Sequence, residues 1–195
     1  MRELIKMVVV LTVLTAVSGG LLAGVRSATK DKIEFQELTF VKGPVLKQLF
    51  KNATNDMIAD RFTIGEGKQA VTFFPAKVDG KVKYVAVSGS GKGFGGDLGL
   101  MVGVDVETGK IAGVGVTTHS ETPGIGSRAK SEPDLASHFV GLPVEETFKV
   151  KSDGGQIDAI GGATVTSRGV CMAATDAGEI YARLESEIKS KLQSL

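Results

Sequence analysis

From Met7 to Val25 the chain reads MVVVLTVLTAVSGGLLAGV, nineteen positions without a charged side chain. As an α-helix rising 1.5 Å per residue, this run reaches roughly 28 Å, close to the ~30 Å hydrocarbon core of a bilayer. Three structures compete for it. A cleaved signal peptide has an apolar stretch of only about 7–15 residues and a small-x-small cleavage site, for which VRSA, Val25 to Ala28, is a poor match. A helix buried in a soluble core normally keeps a polar stripe, which this run lacks. The run is therefore expected to be a retained transmembrane helix over residues 7–25, with the lipid bilayer as its partner. Arg2 and Lys6 precede it, and Arg26, Lys30 and Lys32 follow it, so the positive-inside count is nearly balanced. The short stub 1–6 is expected to stay cytoplasmic, which leaves residues 26–195 on the outer face of the membrane.

The whole chain is 195 residues long, enough for one domain with its own core plus an appendage. Its 23 basic and 22 acidic residues give a net charge of +1, which argues against nucleic acid as a partner. A single cysteine, Cys171, excludes an internal disulfide, a zinc cage and an iron–sulfur cluster. The absence of Trp and the presence of only two Tyr argue against an aromatic-cage module.

Residues 26–42 read as a polar tether without a strong period. GPVLKQLFKNA, 43–53, carries Val45, Leu46, Leu49 and Phe50 at helical spacing. QAVTFFPAKV and KVKYVAVSGS flank Asp79-Gly80, a two-residue hairpin signal, and LGLMVGVDV and KIAGVGVTT flank ETG. Four successive β-rich segments predict an antiparallel sheet. SEPDLASHFVGL predicts a short helix with Ser131 as its N-cap. From Thr164 the apolar spacing predicts a long helix, with Glu179–Arg183 and Glu185–Lys189 as i,i+4 pairs. The fold class is α+β, an antiparallel sheet packed by helices, forming one domain over 43–195.

Three glycine-rich stretches carry the candidate chemistry. SGSGKGFGGDLGLM contains G-x-G-x-x-G at Gly91, Gly93 and Gly96, but a β-pattern follows it where the dinucleotide fingerprint needs a helix. It reads either as a strand connection or as close backbone packing against a cofactor or partner. HSETPGIGSRA, His119 to Ala129, ends a strand and turns at Pro123-Gly124, where main-chain amides can lie along a flat ligand. His119 fits a strand-end histidine better than an acid–base partner for Glu121. In IDAIGGATVTSRG, residues 157–169, a glycine-rich loop becomes a helix at three hydroxyls: Thr164, Thr166 and Ser167. Such hydroxyls cap helices. A helix start behind glycines also exposes amides and the positive dipole end, a seat for phosphate.

Asp158 to Thr164, DAIGGAT, resembles the flavinylation motif D-x-x-(S/T)-G-A-T, whose last threonine receives FMN from a flavin transferase. GKGFGGDLGLMVGVD and HSETPGIGSRA resemble two further segments of the same family, in the same order. The family is the FMN-binding domain of the Rnf G subunit, shared with the C subunit of the sodium-translocating NADH:quinone reductase. Gly161 departs from the motif, standing where Ser or Thr is usual.

The resemblance implies covalent FMN on Thr164. Glu121, Thr122, Pro123, Gly124, Ile125 and Gly126 would line the flavin, and Gly162, Ala163, Val165, Thr166 and Ser167 would surround its phosphate end. It implies an electron-carrying subunit without acid–base or nucleophilic residues of its own. The subunit would relay electrons between ferredoxin and NAD, coupled to sodium or proton movement, beside subunits of the Rnf A, B, C, D and E type. The alternatives are a component of another membrane flavin chain, a stand-alone FMN reductase, and a membrane-tethered binding module without redox chemistry.

Overall fold

The computed structural model describes residues 1–193 and divides into two compact units, Met1–Thr39 and Phe40–Leu195. In the first, helix α1 spans Arg2–Gln36. Residues 2–30 are long and apolar enough to cross a membrane, and none of that stretch is buried. Every Leu, Val, Ile and Met from Leu4 to Val25 is exposed, which rules out the soluble-core reading. Both threonines inside the run are satisfied locally. Thr12 donates to the Val8 carbonyl at 2.8 Å and Thr15 to the Leu11 carbonyl at 2.9 Å, so neither presents an unpaired hydroxyl to lipid.

The expected tether is not irregular. The helix continues through it to Gln36, and Glu37–Lys42 forms a π-helical turn. From Arg26 to Lys42 there is neither glycine nor proline to stop a helix, and polarity alone does not break one. Helix α2, Gly43–Leu49, then begins with Pro at its first turn and ends short of the expected Ala53.

The second unit is built on a meander of five antiparallel strands in chain order. They are β1 (Phe62–Ile64), β2 (Val71–Val78), β3 (Lys81–Lys92), β4 (Asp97–Asp105) and β5 (Ile111–Thr118). Four correspond to the expected strands, and β1 is the addition. Asp79 and Gly80 both have positive φ, 52° and 78°, as a two-residue hairpin turn that follows strand twist requires.

Helices cover both sheet faces. Helix α5, Thr164–Leu192, packs on β3 and β4, burying Val170, Ala173, Ala177, Tyr181 and Ile188 with Val85, Val87, Leu100 and Val102. On the opposite face, Val45, Leu49 and Phe50 lie over Gly115, Gly113 and Gly103. Of the two ion pairs expected on α5, Glu185–Lys189 closes at 2.6 Å. Between β5 and α5 lie two short helices, α3 (Arg128–Ser131) and α4 (Pro133–Ser137). Ser131, expected as an N-cap, is instead the last residue of α3. Pro133 takes the first position of α4 and makes Glu132 its N-cap, because proline fits where no amide is needed.

Candidate functional site

The glycine run between β3 and β4 has a tertiary cause. A Cβ on Gly89 would overlap the Ala173 carbonyl, and one on Gly91 the Gly169 carbonyl, so glycine lets the α5 backbone sit directly on β3. That seam brings the start of α5 beside the tip of the β3–β4 loop.

Three segments meet there around a cavity of about 430 Å³, within the range of small-molecule sites. Phe94 comes from the β3–β4 loop. Glu121, Thr122, Ile125 and Gly126 come from the loop after β5, and Gly162, Ala163, Thr164, Val165 and Thr166 from the turn into α5. Nine of the twelve residues expected at the flavin thus line one cavity. The other three stand behind it. Pro123 and Gly124 are exposed at the outer turn, where the Gly124 amide donates to Ser127 Oγ at 2.9 Å. Ser167 is buried, donating to the Ala163 carbonyl and accepting the Ile160 amide, each at 3.0 Å, and so pins the turn before Thr164.

Phe94 was missed by sequence reasoning. Its signal was a lone aromatic between glycines, Gly93 and Gly95, and in the fold it is 74% exposed. His119 sits half-buried after β5, its Nδ1 accepting the Glu121 amide at 3.2 Å.

The start of α5 separates the three hydroxyls. Ala163 is the N-cap, and no side chain caps the helix. The first intrahelical bond runs from the Ser167 amide to the Ala163 carbonyl at 3.0 Å, which leaves the amides of Thr164, Val165 and Thr166 ahead of the ladder. Thr166 donates its hydroxyl to Glu121 Oε2 at 2.6 Å, and both residues are buried. Among the described residues Thr164 Oγ1 has no hydrogen-bond partner, and its side chain is half-exposed into the cavity. Gly162 precedes it with φ +81°, a left-handed turn that a side chain would strain.

Charged groups brace this turn from outside the cavity. Arg128 Nη1 donates to the Gly161 carbonyl at 3.1 Å while its Nε donates to Glu132 at 2.8 Å. Asp158 pairs with Lys151 at 2.7 Å and lies 3.6 Å from His138. The Lys151 hydrogen bond holds its carboxyl below the usual carboxylate range. Arg168 clamps Asp153 through two bonds of 2.6 and 2.7 Å, and its hydrogen bonds lower that carboxyl in the same way. Cys171 is buried on the inner face of α5 with its thiol pushed up to about 12 by desolvation, so no reactive thiolate adjoins the site.

Apolar walls from Phe94, Ile125 and Val165, with a hydroxyl and three helix-start amides that have no partner among the described residues, suit a ligand with a flat ring and a phosphate arm. These features define a flavin-binding α+β domain, and the FMN-binding domain family matches residues 93–179. The chain belongs to the family formed by the G subunits of ion-translocating oxidoreductase complexes. It is 31% identical over 171 residues to that subunit from Methanosarcina acetivorans, a match covering 87% of this chain and 89% of that one. To the subunit from Stutzerimonas stutzeri it is 34% identical over 147 residues, 71% of this chain and 64% of that one. The crystal structure of Shewanella oneidensis NqrC matches with a TM-score of 0.53 at 25% identity, over 72% of this chain and 73% of that chain.

Proposed function

We propose that the chain carries FMN as a phosphoester on Thr164 Oγ1 and serves as the membrane-anchored flavin subunit of an Rnf-type complex. The observation that carries this reading is the unpartnered Thr164 hydroxyl at the first position of α5, facing the cavity. When bound, FMN supplies the electron chemistry, and the protein supplies placement and electrostatics.

The chain's own residues have definite tasks. Thr164 offers the oxygen that would form the ester bond to the FMN phosphorus on a flavin transferase, giving up its hydroxyl proton as the bond from that phosphorus to the donor's leaving group breaks. The amides of Thr164, Val165 and Thr166 offset the phosphate charge together with the positive end of α5. Ser167 and Arg128 hold the turn that presents Thr164. Phe94, Ile125 and Val165 supply apolar surface to the ring. Helix α1 keeps the carrier in the inner membrane, with residues 26–195 on the periplasmic face. There it exchanges electrons with partner subunits of the Rnf A, B, C, D and E type, along a route between ferredoxin and NAD coupled to sodium or proton movement.

Co-expression with a flavin transferase, followed by intact mass of wild type and Thr164→Val, tests the attachment. One FMN adduct is expected in wild type and none in the variant. An adduct that persists in the variant moves the bond to another hydroxyl, and no adduct in wild type ends the covalent reading.

A further inference from the structure

The cavity is lined by one ionisable side chain, Glu121. It is only 6% exposed. Its Oε2 accepts the Thr166 hydroxyl at 2.6 Å, and its Oε1 accepts the Gly95 amide at 3.0 Å. The surroundings are shaped to this carboxylate. A Cβ on Gly93 would overlap Oε1, and one on Gly126 would stand 2.5 Å from Oε2 and 2.8 Å from Thr166 Oγ1. Three segments far apart in sequence therefore close on one side chain.

Both oxygens act as acceptors, as in an ionised carboxylate. Both donors are neutral, and among the described residues no lysine, arginine or histidine side chain pairs with Glu121. Neutral donors hold and partly screen such a charge without cancelling it. We propose that Glu121 is the fixed negative charge that holds down the reduction potential of the bound flavin, positioned by Gly95 and Thr166. This rests on FMN occupying the cavity as proposed above.

Reduction of a flavin held in this cavity would add negative charge near this carboxylate, and the two like charges would repel. At an effective dielectric of about 20, a unit charge within ~10 Å of another shifts an equilibrium by on the order of tenfold. Glu121 is then a positioning and tuning residue, not a proton donor. It biases the carrier toward giving electrons up.

Two variants of the flavin-loaded full chain in detergent move the potential in opposite directions, read by spectroelectrochemical titration at pH 8. Glu121→Gln removes the charge while keeping a carbonyl for the Gly95 amide and an amide for the Thr166 hydroxyl. At a fixed applied potential its reduced-to-oxidised ratio is expected to rise about tenfold, which is 59 mV for a one-electron couple. Thr166→Val keeps the charge and removes a donor that screens it, so the ratio is expected to fall about threefold.

Potentials that stay put, or that move in the same direction, overturn the proposal. A purely structural role would impair loading in both variants without opposite shifts. If Glu121→Gln does not accumulate, Thr166→Val decides alone, since an unchanged or raised ratio overturns the proposal. Wild type without flavin would overturn the function proposed above, whereas loaded wild type with a potential indifferent to both changes overturns this inference only.

Discussion

A Cβ built on Gly161 meets nothing within 4 Å, and its φ lies outside the left-handed region. The residue that departs from the flavinylation motif is therefore not required by the fold. Gly162, one position on, is also uncrowded, but its φ of +81° strains any side chain. The two glycines should part company on substitution. Gly161→Ser is expected to keep stability within about 0.5 kcal/mol and to flavinylate at least as fast as wild type. Gly162→Ala is expected to cost about 1 kcal/mol or more and to slow flavinylation, because it disturbs the turn that presents Thr164. Thermal melts and an in-gel fluorescence time course with purified transferase check both. A Gly161→Ser variant slower than wild type would show that glycine is needed there for a reason outside the folded chain.

The packing of α5 on β3 belongs to the scale of elements, since the two backbones approach through Gly89, Gly91 and Gly169. Gly91→Ala has no free space, because its Cβ would overlap the Gly169 carbonyl. Overpacking of this kind costs about 1–3 kcal/mol, sometimes more, and at roughly 2–4 °C per kcal/mol the Tm should fall by several degrees. Gly91 faces the first turns of α5, so the variant should also lose flavinylation, measured as adduct per folded molecule. A loss of stability with full loading would show that the seam does not set the position of Thr164.

The same seam shows which elements local sequence can reveal. The β2–β3 hairpin was legible because Asp79-Gly80 specifies its turn within two residues and a period of two flanks it. Helix α5 was legible from apolar spacing sustained over many turns. Strand β1 was not, since three residues are too short to display a period. The continuous helix through 26–36 was hidden because charge says nothing about helix continuity. At the site, the two loops and the helix start at Thr164 could be read from contiguous motifs. Phe94, and the depth at which Glu121 is buried, could not. The Glu121–Thr166 bond joins residues 45 positions apart, and such a contact exists only once α5 has docked on the sheet.

At the scale of the whole molecule, helix α1 is separable from the unit that holds the cavity, so membrane attachment and folding of the flavin domain should fail independently. The ten Leu and Val side chains between Met7 and Val25 favour insertion by roughly 3–6 kcal/mol in total on the biological scale, which assigns about 0.3–0.6 to each. Glycine, serine and threonine in the run add nothing to that sum, so the margin is narrow. An arginine at the centre of a span costs about 2.5–3.5 kcal/mol. One substitution should weaken insertion, and two should abolish it. The double variant Leu14→Arg, Val17→Arg is expected to leave the carbonate-washed membrane fraction, while the melting transition of the second unit stays at its wild-type temperature. A double variant that remains in washed membranes would place its attachment outside α1, and a shifted melt would show that the two units are energetically coupled.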